Sequence, residues 1–245
     1  MFFLFDPLYL VVTFVGLAFS LWAQARVKSS FNRYSQVGVA SGMSGAEAAA
    51  AVCRAGDADG IRIERHPGFL SDHYDPRSRT LRLSPDVYDG RSVSSVAVAA
   101  HEAGHAIQHA REYRWLGFRS SMVTVTNLGN RLWALPFMIG LVLNAQMGVT
   151  VAPDGTEVWG LSQYLMALGI LLFGAVVVFQ LITLPVEIDA SRRAKAVLAT
   201  TGIVRTQDEA KGVSKVLDAA AWTYVAAAAA GILQLLYLIA RFRDR

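Results

Sequence analysis

Four stretches of this chain carry no Asp, Glu, Lys or Arg: residues 7–25, 132–153, 158–186 and 219–240. A hydrocarbon layer of about 30 Å takes about 20 helical residues to cross, and the bilayer core offers water to no unpaired backbone group. Four runs of that length in 245 residues therefore restrict the chain to a bundle of membrane helices carrying whatever lies between them. Composition agrees, with 53% hydrophobic residues and a mean hydropathy of +0.36. The predicted spans are Pro7–Ala25, Leu132–Val151, Leu161–Leu184 and Ala219–Ala240. Pro136, Asn144 and Gln146 in the second favour helix contacts over lipid. The fourth opens on the mildly apolar AAAWTYVAAAAAG and could instead be a buried or interfacial helix. The first has Asp6 ahead of it rather than a basic stretch, so a retained anchor fits better than a cleaved signal peptide.

Basic residues set the orientation. Arg26, Lys28 and Arg33 follow the first span, Arg131 abuts the second, and Arg192, Arg193 and Lys195 follow the third, whereas Asp154 and Glu157 mark the loop between the second and third. Lys and Arg collect on the cytoplasmic side, so the N-terminus is expected outside and the segment 26–131 inside. Twenty of the 23 basic residues then face the cytoplasm; Arg241, Arg243 and Arg245 conflict with that rule if the fourth segment crosses. With a net charge of +4 and no basic patch interleaved with aromatics, nucleic-acid binding is not indicated.

Between the first two spans lies His101-Glu102-Ala103-Gly104-His105, in the Ala-rich, Pro-free run Ser92–Arg111. On a helix, positions i and i+4 share a face, so His101 and His105 can grip one zinc ion. Glu102 can face an attacking water as general base, and Gly104 leaves room beside the metal. Zinc brings the pKa of its water from about 16 to roughly 7, which is why neutral imidazoles at this spacing point to hydrolysis. His109 extends the stripe but lies about 12 Å from His101, too far to share the ion.

The third ligand must return to the same membrane side, which the chain does after the third span. Glu187, two residues beyond Pro185, is the expected ligand, with Asp189 as a weaker candidate for the surrounding hydrogen bonds. The competing reading makes Glu187 an ordinary acid at a helix N-terminus, complementing the macrodipole. Ahead of the active helix, Ile61–Glu64 and Thr80–Leu83 alternate like strands around SDHYDP, whose Asp-Pro signals a turn. This predicts a small antiparallel sheet. Its edge could hold a substrate backbone, with His73 or Tyr74 contacting the oxyanion, or it could be an ordinary hairpin; a second metal at Asp72 and His73 is the least favoured reading. Ser44 and Glu47 are spaced as a capping box for a helix over 44–55 that stops at Gly56. The lone Cys53 excludes an intrachain disulfide, in keeping with a reducing compartment.

The phrases LSDHYDPRSRTLRLSPDVY, VAAHEAGHAIQH and LPVEIDASRRA resemble the bacterial membrane-bound neutral zinc metallopeptidases over nearly the whole chain. That family is in turn similar to the HtpX-like and CAAX prenyl-protease metallopeptidases, gluzincins that use HExxH and a downstream Glu. The resemblance implies His101, His105 and Glu187 as ligands of one Zn2+ and Glu102 as catalytic. One departure stands out: many gluzincins carry an Asp four residues after the ligand Glu to orient a zinc histidine, and here that place is Ser191.

The expected protein is thus a mainly α integral membrane protein with about four transmembrane helices and a zincin-like cytoplasmic catalytic part. Its segments are an anchor (1–25), the zincin-like part (26–131), a transmembrane hairpin (132–184), a cytoplasmic helical segment with the third ligand (185–218) and a C-terminal membrane helix with a basic tail (219–245). The expected activity is zinc-dependent cleavage of membrane or membrane-proximal polypeptides at the cytoplasmic face of the bacterial inner membrane. The alternatives are a site-2-type intramembrane protease, disfavoured by Arg111, Glu112 and Arg114 just past the motif, and an adaptor with a structural zinc.

Overall fold

A computed structural model describes residues 6–148 and 150–243; Arg245 of the basic tail and Val149 of the second expected span lie outside them. The chain forms eight helices and five short strands among the described residues. It divides into two compact units, one of Met1–Leu21, Arg119–Ile182 and Val225–Arg245, the other of Trp22–Phe118 and Thr183–Tyr224.

The first unit is built from the apolar stretches. Among the described residues three helices are long and apolar enough to cross a membrane: α1 (Pro7–Tyr34), α7 (Leu161–Thr200) and α8 (Gln207–Arg243). On α1 only 11% of the most apolar window is buried, with Phe14 63% exposed, a surface suited to lipid. The second expected span takes another form. Residues 132–151 hold only the 14-residue α6 (Ala134–Met147), about 21 Å long, preceded by α5 (Arg114–Leu132). Pro136 has no N–H for the Leu132 carbonyl and its ring crowds that oxygen, so a helical bond is lost where α5 meets α6, while Trp133 between them keeps helical dihedrals and its bond to Gly129 O. Beyond Met147, Gly148 at φ +70° turns the chain into the hairpin β4 (Thr150–Val151) and β5 (Glu157–Val158).

Glycines seat α5 and α6 directly on α7. A Cβ on Gly129, Gly140 or Gly169 would come within 2.7 Å, 2.5 Å and 2.7 Å of the carbonyl oxygens of Leu172, Ser162 and Trp133. These contacts run in opposite chain directions, so α5–α6 lies antiparallel to the first half of α7, with the close approach that small residues permit between membrane helices. Asn144 accepts a hydrogen bond from Gln163 Nε2 at 3.0 Å, the helix contact expected of a polar residue there. Phe137, Met166, Phe173, Val177, Tyr237 and Leu238 fill the core of this unit.

The second unit packs α2 (Gly45–Ala55), α3 (Pro85–Tyr88) and α4 (Val93–Ala110) around a three-stranded sheet, together with parts of α1, α7 and α8. Ser44 and Glu47 close the expected capping box on α2. The sheet is mixed rather than antiparallel: β1 (Arg62–Arg65) runs parallel to β3 (Thr80–Leu83), and β2 (His73–Asp75) pairs antiparallel with β3, in the order β1-β3-β2. The difference comes from residues 73–75, expected in a turn, which form the returning strand. Asp75 starts the true turn by accepting bonds from Arg77 N (3.0 Å) and Ser78 Oγ (2.7 Å), and Arg79 completes it at φ +47°. Central β3 buries Thr80, Leu81 and Leu83 completely, and its apolar side chains share a core with Val52, Val96, Ala100, Ala103 and Ile107. The alanines of α4 let neighbouring elements come close, which holds the helix still where its polar face carries chemistry.

Candidate metal centre

On α4 the pair His101 and His105 sits one turn apart on one face, ring centroids 4.8 Å apart. Across from them, Glu187 projects from α7, its Oε2 lying 3.1 Å from His101 Nε2 and 3.4 Å from His105 Nε2. One ligand atom from each of the three lies within 4.8 Å of the others, and this is the only such group of three or more His, Cys, Asp or Glu among the described residues. All three are largely buried, with side-chain exposures of 11%, 9% and 3%.

The reading of Glu187 as a helix N-terminal acid falls here. α7 continues unbroken from Leu161 to Thr200 with Pro185 inside it, so no helix begins near Glu187. A carboxylate in mid-helix, buried and aimed at two imidazoles, needs a cation or their protons for company.

The outer nitrogens are held in place. His101 Nδ1 lies 3.1 Å from Ser191 Oγ, and His105 Nδ1 lies 3.0 Å from Gln108 Oε1. Gln108 is fully buried and donates from Nε2 to Val186 O (2.8 Å) and Asp189 Oδ2 (2.9 Å), while Asp189 also accepts from Arg193 Nε. With each Nδ1 so engaged, each Nε2 faces the carboxylate, the arrangement that partners of metal-binding histidines impose. Ser191 thus stands against His101, one of the candidate ligands. Asp189 reaches His105 only through Gln108. Gln108 gave no sequence signal beyond its place three residues after His105.

The donor set suits zinc: two imidazole nitrogens and one carboxylate oxygen, the composition of hydrolytic sites that keep a fourth position open. Without metal, burial disfavours the charged form of His105, but the bond and charge of Glu187 outweigh it and push the imidazolium up to about 9. Burial likewise opposes ionisation of Glu187, yet bonds from both histidines hold its carboxyl well below the ordinary range. Both shifts favour the ion pair, in which an incoming dication would take the place of the imidazolium proton and keep the carboxylate.

Glu102 is buried to within 9% exposure, and its carboxylate makes no hydrogen bond or ion pair among the described residues. Its charge acts on both His105 and Asp72. Asp72 is not arranged as a metal ligand, since it accepts from Ser84 N (2.7 Å) and Ser84 Oγ (3.0 Å). His73 binds Ser71 O through Nδ1 at 2.9 Å, and Tyr74 Oη bonds His109 Nδ1 at 2.8 Å, tying β2 to α4. Gly104 serves differently from expectation: a Cβ there would meet the Ala190 carbonyl oxygen at 2.5 Å, so the glycine admits the backbone of α7.

Residues 9–243 match the family model described as "Putative neutral zinc metallopeptidase". The chain belongs to that family. It is 42% identical over 235 residues, 96% of each chain, to a protein of Bacillus subtilis (strain 168) named "Putative membrane protease YugP". No solved structure matches it. The name of the Bacillus relative and the three apolar helices are consistent with a membrane setting, and the family description agrees with the donor set.

Proposed function

We propose that the chain is a multi-pass membrane zinc endopeptidase of the HExxH-plus-Glu type, cleaving membrane or membrane-proximal polypeptides at the cytoplasmic face of the inner membrane. The carrying observation is the convergence of His101, His105 and Glu187 within 4.8 Å beside the buried Glu102.

His101, His105 and Glu187 would hold one Zn2+. When bound, zinc supplies Lewis acidity, polarising the scissile carbonyl and making water acidic near neutral pH. Glu102 takes the proton from the attacking water and delivers it to the departing amine. Ser191 and Gln108 fix the two rings, and Asp189 fixes Gln108. The outer edge of β2 receives the substrate backbone as an added strand. His73 donates from Nδ1 to Ser71 O, so it can contact the developing oxyanion through Nε2 only as an imidazolium, and Tyr74 is held by His109.

For topology, the N-terminus lies outside, α1 enters, α5–α6 leaves alongside the returning α7, and α8 leaves again. The antiparallel glycine contacts of α5–α6 on α7 support the second crossing despite the shortness of α6. Arg241 and Arg243 then stand outside as exceptions to the charge rule. An adaptor with structural zinc is less well supported, because such sites are normally closed by four protein ligands and only three gather here among the described residues. The site-2 alternative places its motif in a lipid-buried helix, whereas α4 packs in the second unit beside the sheet.

The Glu102→Gln protein tests the reading. It should bind zinc stoichiometrically while casein or membrane-protein cleavage in detergent falls by at least 100-fold. Proteolysis persisting at the wild-type rate refutes the role of Glu102; zinc lost from Glu187→Ala but cleavage intact refutes the metal centre.

A further inference from the structure

We propose that a basic cavity between α1 and α8 binds the phosphodiester headgroup of an anionic membrane phospholipid; this rests on the membrane reading but not on the peptidase chemistry. The cavity measures about 550 Å³ and lies within the second unit. Arg26 approaches it from α1, and Lys211 and Lys215 from the first turns of α8. The sole acidic lining residue, Asp218, is neutralised by Lys195 at 2.7 Å. Lys211 has only a loose, solvent-exposed contact with Asp208 at 3.3 Å. Arg26 and Lys215 form no ion pair among the described residues. Two to three uncompensated cations therefore face a cavity of headgroup size.

Aromatic residues mark the depth. Trp222 lines the cavity, and Trp22 stands one turn before Arg26. The two indoles meet edge to face at 5.7 Å, and the Arg26 guanidinium lies 5.5 Å over the Trp22 ring. Arg26 is also the first charged residue after the charge-free stretch of α1, and Asp218 the last before that of α8. Tryptophans and cations at the ends of apolar stretches sit at headgroup level, and basic pockets between membrane helices on the cytoplasmic side take anionic headgroups. A soluble anion would match the charges but leave the indole pair without a role.

The test uses the full-length protein in mild detergent, delipidated and then offered phosphatidylglycerol or phosphatidylcholine of equal chain length, with retained lipid counted by native mass spectrometry. Phosphatidylglycerol should be retained at least tenfold more strongly. Removing each cation should cost roughly five-fold, so Arg26→Gln with Lys215→Gln should abolish the preference, while Lys28→Gln with Arg33→Gln, off the cavity, should keep it. Brominated phosphatidylglycerol should quench tryptophan fluorescence of the wild-type protein more than brominated phosphatidylcholine, a readout needing no variant. Equal retention of both lipids, a preference surviving in the cavity variant, or displacement of the lipid by millimolar inorganic phosphate or an acidic peptide each overturns the proposal. A chain that stays soluble without detergent would defeat the membrane reading itself, a separate result.

Discussion

Gly104→Ala sets helix propensity against geometry. In an exposed helix interior the change gains about 1 kcal/mol. Here the new Cβ would stand 2.5 Å from the Ala190 carbonyl oxygen and 3.2 Å from its Cα. Ordinary contact begins near 3.4 Å, so α4 and α7 must separate by 3.4 − 2.5, or about 0.9 Å. Overpacking of this kind costs about 1–3 kcal/mol, so the net effect on the melting curve is slight or unfavourable. The effect on the metal is larger, because coordination distances tolerate only about ±0.2 Å. The two histidines ride on α4 and Glu187 sits on α7, three residues before Ala190, so the separation acts directly on the ligand triangle. Zinc affinity, measured by competition with a chromophoric chelator, should fall about 10–100-fold, the range typical when ligand support is lost. Gly117→Ala, with nothing within 4 Å of its Cβ position, serves as the control and should leave zinc affinity unchanged. A Gly104→Ala protein that melts higher and binds zinc like wild type refutes this reasoning. One that binds zinc normally but loses cleavage would mean that the glycine makes room beside the metal after all.

Gln108→Ala removes the group that joins His105 to Asp189 and to the Val186 carbonyl; zinc affinity should drop about 10–100-fold, and stability by about 1–3 kcal/mol because buried partners are orphaned, both read on the same preparation by chelator competition and thermal melting. Zinc affinity of the wild type should climb about tenfold per pH unit through neutrality and level off above pH 9, since His105 of the metal-free protein holds its proton up to about 9; a flat profile from pH 6 to 9 contradicts the ion pair. Metal-free stability has its own window. The raised His105 contributes fully below its ordinary 6.5 and is lost as pH climbs through about 9, whereas the depressed Glu187 contributes above 4.5 and is lost only in acid, so the metal-free melting temperature should peak between pH 4.5 and 6.5. Burial pushes the Cys53 thiol up to about 12, so iodoacetamide at pH 8 should label it only upon unfolding; rapid labelling of the folded protein disproves its burial.

Local rules made much of this legible. The capping box at Ser44 and Glu47, the spacing of His101 and His105, and three of the apolar helices all depend on residues within a few turns of one another, where period and chain chemistry decide. The sheet escaped such rules. Asp-Pro does open a turn at Asp75, but β3, burying Thr80, Leu81 and Leu83, also recruits His73–Asp75 just ahead of that turn as its antiparallel neighbour, a tertiary pairing that local turn chemistry does not announce. Pro185 misled in the opposite direction. Proline is common at a first helical turn, yet here it sits deep inside a 40-residue helix, where neighbouring packing offsets one lost backbone bond.

The supports of the site were the least legible part, and their chemistry explains why. An imidazole at a metal needs an acceptor or hydroxyl at its far nitrogen, but many residue types satisfy that need and helix packing alone decides which one arrives. Ser191 falls four residues after Glu187 on the same face of α7, so a hydroxyl occupies the position a carboxylate takes in many gluzincins. A hydroxyl brings no charge, which leaves His101 less polarised than a carboxylate would leave it. His105, by contrast, draws on the charge of Asp189 at one remove, through an amide that must point its oxygen at the ring and its nitrogen at the acid. That relay needs Gln108 in one orientation only. Asp189 and Val186 O, both acceptors, enforce it, and Arg193 in turn holds Asp189. The proposed third ligand and the positioning of both histidines thus come from one stretch of α7, residues 186–193, packed on α4 where Gly104 lets the backbones touch; the proposed metal centre is as well defined as that single helix contact.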